Sequence, residues 1–326
     1  MNQHFQMINV GGKPITHRIA IASGEIVVGK EAFELLQNKT LPKGDALLLA
    51  EIAGIQGAKN ASQLMPLCHP MGLDAVQIRH ELNAVEHSVR IYCTASTHAK
   101  TGVEMEALAG VNAALLTIWD LCKMINPNLR INHIELLAKV GGKSGLWLNP
   151  NGVPDWVNEL VAPKKYDLSA LRFAVITLSD RASAGVYDDA SGALMVDLLS
   201  EHNAQIVHKS VLPDDAQTLK ATLVELSQND AIDCIITTGG TGVAPRDITP
   251  EVIHEIADKT IDGIGELLRI SGAAFTPLSW ASRSTAAVVN RTLIITLPGS
   301  PKAVREGLEV LIPILPHFMR IMKGTA

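Results

Sequence analysis

Between residues 101 and 123 the chain runs TGVEMEALAGVNAALLTIWDLCK, an apolar helical pattern interrupted by Glu104, Glu106, Asp120 and Lys123. Ionisable groups buried without partners cost free energy, so packing alone does not account for these four. Asp120 and Lys123 stand at i and i+3, share a helix face and can pair. A lysine beside a carboxylate can donate a proton or clamp a phosphate, with the carboxylate orienting it. Glu106 and Asp120 are about 21 Å apart along a helix axis and roughly 40° apart around it. One small substrate cannot touch both ends. Either the two ends serve different sites, or another subunit completes a site; the second is favoured. A solvated stripe on an amphipathic helix would carry the same charges.

Upstream, LMPLCHPMGLDAV sets Cys68 and His69 between Pro66 and Pro70. The prolines fix φ and hold the segment rigid, and an imidazole there can bind phosphate or move a proton near neutral pH. A structural histidine beside a small buried cysteine is the plainer alternative. A Cys68–His69 nucleophile pair is disfavoured, because neighbouring side chains on an extended segment point oppositely. Lys43 stands just before an apolar helix with Asp45 as its N-cap. LLAKVGGKSG adds Lys139 and Lys143 around a diglycine. Each lysine alone reads as surface charge; together they suit a polyanionic substrate.

The second half carries different chemistry. IDCIITTGGTGVAPRDITPEVIHEI reads as strand, glycine turn and helix. Gly239, Gly240 and Gly242 remove Cβ atoms where backbone must approach a ligand, and their N–H groups, with that of Thr241, can cradle phosphate. A tight strand-to-helix turn needs the same glycines. Thr249 with Pro250 is expected as an N-cap followed by an N1 proline, at the electropositive end of a helix. No Walker lysine motif occurs, and Pro245 replaces the third glycine of a dinucleotide fingerprint, which disfavours a nicotinamide-dependent oxidoreductase. TLSDRASAGVYDD, VLPDD and LPGSPKAV follow other expected strands, and such loops converge beyond the carboxyl ends of a parallel sheet. Asp214 and Asp247 are the acidic candidates there, as hard ligands for Mg²⁺ beside phosphate. Alone, Asp214 reads as a helix N-cap.

These residues need two scaffolds. At 326 residues the chain is long for one core. Pro150, Gly152, Pro154 and Pro163 mark a break, which predicts domains over 1–150 and 170–326 with a linker over 151–169. The piece WVNELV inside it either docks as one helical turn or stays linker. Before the break, AVQIRHELN and HSVRIYCTAS alternate partly, as strands of an antiparallel sheet do, with helices near 30–37, 45–64 and 103–125; this is an α+β pattern. After it, FAVITL, CIITT and TLIITLP are uninterrupted β-branched runs, with helices near 191–202, 215–228, 250–258 and 301–312. That is α/β, with a mostly parallel sheet buried on both faces.

Net charge is −5, so no global basic field recruits nucleic acid. The opening residues lack the pattern of a signal peptide, and no run of about 18 uncharged apolar residues argues for a membrane span. Cys68, Cys93, Cys122 and Cys234 form no CxxC pair, which suggests reduced thiols in a cytoplasm.

KGDALLLAEIAGIQGAK, LMPLCHPMGLDAV, KTGVEMEALAGVNAALLTIWDLCK and LLAKVGGKSG together resemble the cyclic pyranopterin monophosphate synthase family of molybdenum cofactor biosynthesis, over about residues 5–148. The resemblance implies a ferredoxin-like subunit in a hexamer with sites between subunits. It implies conversion of 3′,8-cyclo-7,8-dihydro-GTP to cyclic pyranopterin monophosphate and pyrophosphate. The family's catalytic Asp and Lys fall on Asp120 and Lys123, and further site residues on Lys43, Leu67, Cys68, His69, Glu104, Met105 and Glu106. GGKPITHRIAIASGEI matches only loosely, so Lys13 and Arg18 receive no role.

SDRASAGVYDD, LPDD, TTGGTG, PRDITPE, GIGELLR, SRS and LPGSPKAV resemble the molybdopterin adenylyltransferase family, over about 170–322. This implies a Rossmann-like domain, usually trimeric, that transfers AMP from MgATP to the terminal phosphate of molybdopterin. The family's two important aspartates fall on Asp214 and Asp247, and its phosphate and pterin loops on Ser179, Asp180 and Arg181, on Gly239, Gly240, Thr241 and Gly242, and on Pro298, Gly299, Ser300 and Lys302. The expected whole is a bifunctional, homo-oligomeric enzyme of small-molecule pterin and nucleotide substrates. Mg²⁺ with ATP is its expected cofactor, with no tightly bound organic group and no nucleic acid or membrane partner; other cofactor-assembly enzymes are possible partners. The rival reading makes the second domain a non-catalytic binding or scaffold module.

Overall fold

The structure is a computed structural model that describes residues 5–142 and 145–324. The chain divides into two compact units, Met1–Pro163 and Lys164–Ala326.

The first unit contains β1 (Thr16–Val27), α1 (Lys30–Gln37), α2 (Ala46–Lys59), α3 (Ala61–Leu64), β2 (Ala75–Asn83), β3 (Ser88–Ala99), α4 (Glu104–Cys122), β4 (Arg130–Val140), β5 (Trp147–Leu148) and α5 (Asp155–Val161). The sheet order is β2-β3-β1-β4-β5, antiparallel throughout. Side chains alternate across β1: Ala20 and Ala22 enter the core under α2 and α4, while Ile21 faces the opposite side. That opposite side, with Tyr92 and Leu137, is covered by Val157 and Val161 of α5. Trp156 meets the Tyr92 ring edge-on at 5.3 Å. The segment 151–169, expected as a linker, therefore supplies a helix to the first unit, because apolar surface on the back of the sheet needs cover. Leu168 belongs to the core of the second unit.

Helix α4 is long and apolar enough to cross a membrane by length and composition. Its Val111, Leu115 and Ile118 are fully buried in the core. α2 and α4 approach closely because small residues line their seam. A Cβ on Gly110 would lie 3.0 Å from the Gly54 carbonyl oxygen, and one on Gly57 would collide with Ala113. This seam fixes where the loop ahead of α2 meets the far end of α4.

The second unit contains β6 (Arg172–Leu178), α6 (Asp180–Ser183), α7 (Ala190–Ser200), β7 (Gln205–Leu212), α8 (Ala216–Ser227), β8 (Cys234–Thr238), α9 (Thr249–Ile256), β9 (Lys259–Thr260), α10 (Asp262–Ala273), β10 (Ala286–Val289), β11 (Thr292–Leu297), α11 (Pro301–Leu311) and α12 (Leu315–Met322). Strands β7, β6, β8 and β11 are parallel, and β10 and β9 extend the sheet antiparallel from β11. Phe173 and Val175 face a core with α7 and α11, while Ala174 and Ile176 face one with α8 and α9. Burial on both faces is why these strands lack polar alternation.

Candidate functional sites

At the C-terminal end of α4, Asp120 sits between two lysines. Lys123 Nζ is 2.7 Å from Oδ1, and Lys43 Nζ is 2.8 Å from Oδ2. Lys43 also donates to the Asp120 backbone carbonyl at 3.1 Å, where a helix end is electronegative. Asp45 holds Lys43's loop in place: its carboxylate accepts from the Leu47 and Leu48 N–H groups and caps α2 as expected. The ammonium groups of Lys123 and Lys43 hold the Asp120 carboxyl down at about 2. Asp120 is half exposed, so two cations and one anion present a net positive, open surface.

The other end of α4 differs. Glu106 is 3% exposed. Its Oε1 lies 3.6 Å from the Cys68 Sγ, and its buried Oε2 has no hydrogen-bond partner. Burial raises its pKa. Burial and the facing Glu106 charge raise the Cys68 thiol, so Cys68 is no ready thiolate. His69 uses Nε2 on the Ile8 carbonyl at 2.9 Å. Lys139 on β4 pairs with Glu104 at 3.0 Å. Leu67 and Met105 are exposed beside these groups. Lys143 lies outside the described residues. Arg18, given no role from sequence, packs where a Cβ on Gly142 would collide with it, so the diglycine makes room for a guanidinium. A side-chain clash of this kind leaves no local signal in sequence. The charged groups thus form two clusters at opposite ends of a 19-residue helix.

In the second unit one cleft of about 670 Å³ opens at the carboxyl ends of the parallel strands. Ser179, Asp214, Gly239, Gly240, Thr241, Gly242, Asp247, Pro298, Gly299 and Ser300 all line it; Asp180, Arg181 and Lys302 stand outside its lining. Asp180 still serves the site, since its Oδ1 accepts the Asp214 N–H at 2.9 Å while Asp214 Oδ2 accepts the Asp180 N–H at 3.3 Å. Arg181 stacks over Tyr187 at 5.2 Å, and Lys302 approaches Glu306 at 3.7 Å. Gly239 and Gly240 have φ of 100° and 64°, which only glycine adopts freely, and a Cβ on Gly239 would collide with the Leu178 carbonyl.

Two local expectations are corrected. Asp214 is not a helix cap: the cap of α8 is Asp215, which accepts the Thr218 N–H at 2.8 Å, and this leaves Asp214 to the cleft. Thr249 does not cap α9, whose N-cap is Ile248; its hydroxyl donates to the Gly239 carbonyl at 3.0 Å and ties the glycine turn to the helix. Sequence reasoning also passed over Arg283. It donates to the Gly242 carbonyl at 2.7 Å, to the Asp247 carbonyl at 2.6 Å and to the Glu251 carboxylate. It clamps both ends of the turn that carries Asp247. Its only sequence signal is its place in SRS. Asp188, Asp189 and Arg246 line the cleft as well.

Asp214 and Asp247 suit a hard cation: each has one oxygen held by a backbone N–H, Asp247 Oδ2 by that of Ala244 at 2.8 Å, and a second oxygen left for a ligand. No cluster of three or more such ligands occurs among the described residues, so a bound ion would complete its shell with phosphate and water.

The geometry defines a protein of two units, one with split charged clusters and one with a cleft large enough for a whole nucleotide-sized ligand. Residues 7–142 match the MoaC family, and residues 174–317 match a probable molybdopterin binding domain. A molybdenum cofactor biosynthesis bifunctional protein of Synechococcus elongatus is 42% identical over 320 residues, 98% of either chain. One from Chlorobaculum tepidum is 37% identical over 99% of this chain and 96% of that one. A cyclic pyranopterin monophosphate synthase of Chloroflexus aurantiacus is 41% identical over 147 residues, 45% of this chain and 90% of that one. The chain belongs to the family of bifunctional molybdenum cofactor biosynthesis proteins, with a MoaC-family unit followed by a probable molybdopterin binding unit.

Proposed function

We propose that the first unit converts 3′,8-cyclo-7,8-dihydro-GTP to cyclic pyranopterin monophosphate and pyrophosphate, and that the second transfers AMP from MgATP to the terminal phosphate of molybdopterin. The observation that carries the first is Asp120, kept ionised between Lys43 and Lys123. The lysines can neutralise a polyphosphate, and a lysine oriented by Asp120 can move a proton during ring rearrangement. Glu104 and Glu106, with Cys68 and Lys139 in contact with them and His69 next to Cys68, stand at the far end of α4, too distant to join that group within one chain. We therefore assign the complete site to two copies, Asp120, Lys123 and Lys43 from one and the Glu106 cluster from the other, in a hexamer. Exposed Leu48, Leu49 and Ile52 on α2 and Leu116 on α4 suit such an interface. The order β-α-β-β-α-β supports a ferredoxin-like class for this unit. The doubly wound sheet supports a Rossmann-like class for the second, which we take to be trimeric.

For the second activity the carrying observation is that Asp214 and Asp247 both line the glycine-turn cleft. They would hold Mg²⁺, which supplies charge neutralisation on the transferring phosphate. The chain's own groups position the rest: the Gly239–Gly242 amides cradle phosphate, and Arg283 fixes the Asp247 turn. Binding without catalysis is the second reading, favoured by the domain's likeness to a probable molybdopterin binding domain. The four free thiols suit a cytoplasmic location. Purified full-length protein is given the cyclised dihydro-GTP in one assay and molybdopterin with MgATP in another. Absence of cyclic pyranopterin, or of adenylylated molybdopterin, sinks the corresponding half; bound but unmodified molybdopterin establishes the second reading.

A further inference from the structure

A side pocket of about 160 Å³ adjoins the cleft of the second unit and shares Leu278, Ser282 and Pro298 with it. This is below the roughly 300 Å³ of a pocket for a whole ligand, so it holds only part of one. Leu268, Ala303 and the glycines 272 and 307 give it apolar walls. Its hydroxyls already have partners. Ser279 donates to the Arg269 carbonyl, Thr276 accepts the Leu278 N–H, and Ser282 bonds Ser284. The remaining polar group is Glu306, whose side chain is 13% exposed. Its nearest cation, Lys302 Nζ, is 3.7 Å away, beyond hydrogen-bond range. Burial raises its pKa despite that lysine. A largely buried carboxylate whose one described partner is the long Lys302 ion pair keeps acceptor capacity that a ligand's donors can take up.

We propose that Glu306 reads the amino-pyrimidinone edge of a pterin ring seated in this annex, with the ring's phosphorylated side chain in the main cleft. The exocyclic amino group and the adjacent ring N–H of a pterin offer two parallel donors, the geometry a carboxylate accepts best. Adenine presents one amino donor beside a ring-nitrogen acceptor, which a carboxylate repels. The annex thereby sorts the pterin from the nucleotide when both must occupy one cleft. The assignment rests on the reading that this unit takes a pterin phosphate.

Titration calorimetry on the full chain tests it with three probes: dihydroneopterin monophosphate, its 2-oxo lumazine counterpart and MgATP. The wild type is expected to bind the pterin at least tenfold more tightly than the lumazine. Glu306→Gln is expected to weaken the pterin at least tenfold, the lumazine less than threefold and MgATP less than twofold. Equal loss of pterin and lumazine, or unchanged pterin affinity in the variant, overturns the role of Glu306 while leaving the function reading intact. If the wild type binds no pterin phosphate, the function reading fails and takes this inference with it. Loss of MgATP binding with an altered melting temperature assigns Glu306 to folding, which also overturns it; Glu306→Asp, which keeps the charge, then retains the fold and shows no preference for the pterin.

Discussion

The first unit distributes its charged groups to the two ends of one helix, whereas the second gathers its groups into one cleft. Sheet topology is the cause. Parallel strands all end on the same side, so the loops after β6, β7, β8 and β11 converge, and one chain builds a whole pocket. The antiparallel sheet of the first unit sends successive loops to opposite ends, and α4 runs between them. On the proposed reading, Asp120 with its lysines and Glu106 with Cys68 are half-sites that a second copy would join. One topology gathers a cleft within a chain, and the other leaves its charged clusters apart, which is what the proposed two-copy site would bridge.

The strongest way to break that contrast is to remove one half-site. Asp120→Asn is expected to lower cyclic pyranopterin formation by about 10³-fold, within the range for losing a proton-transfer assembly. Adenylylation by the same preparation should stay unchanged. Mixing Asp120→Asn with Glu106→Gln protein should restore part of the first activity if each complete site draws on two copies. Mixtures as dead as the separate variants would mean that each site is built within one chain. Because the lysines hold Asp120 at about 2, this group stays charged through the acid range, so any acid limb between about pH 4 and 7 arises elsewhere.

Asp214→Asn with Asp247→Asn should lower adenylylation by about 10²-fold and leave the first activity intact. Turnover of molybdopterin at the wild-type rate would remove both aspartates from the mechanism. Arg283→Lys keeps the charge but lacks the planar fork whose separate nitrogens reach Gly242, Asp247 and Glu251, so about a tenfold loss in kcat is expected, with the melting temperature nearly unchanged.

Smaller effects sharpen the contrast between neighbours. Asp215→Ala removes the α8 cap and should lower the melting temperature of the second unit by a few degrees while adenylylation at 25 °C stays within about twofold. Asp214→Ala should do the reverse. Equal stability loss from both changes would deny their division of labour. Glu106 gives the smallest signal. Its folded pKa is raised, so the native state holds its proton more tightly than the unfolded chain. Stability contributed at low pH is lost as pH rises above the ordinary glutamate range near 4.5. Urea melts from about pH 4 to pH 8 should show this decline flattened in Glu106→Gln.

Much of this is legible in the sequence. AVQIRHELN is β2 to the residue, and FAVITL and CIITT lie in β6 and β8, because burial on one face or two writes its own period into a strand. The Asp45 cap and the i,i+3 pairing of Asp120 with Lys123 are local geometry, and both are present. Helices α10 and α12 are not legible in the same way, since their apolar stripes are short. Asp214 and Asp215 are neighbours of one type. Sequence alone gave no reason for the second to cap α8 and the first to face the cleft.

The amino-acid order by itself determined the two units, their sheet types, and the identity of the groups that could do chemistry, because periodicity, turn formers and residue type are local. Tertiary structure alone decided which groups distant in sequence meet. Lys43 reaches Asp120 across 77 residues because α2 packs on α4, and Arg283 reaches the Asp247 turn across 36 because that turn lies beside the segment leading into β10. Glu106 is buried and Asp120 exposed on one helix, since the loop carrying Cys68 lies against the first while the second pairs with Lys43 and Lys123 at the surface. Solvent exposure and long-range contact belong to the packed chain, and no spacing within a segment encodes them.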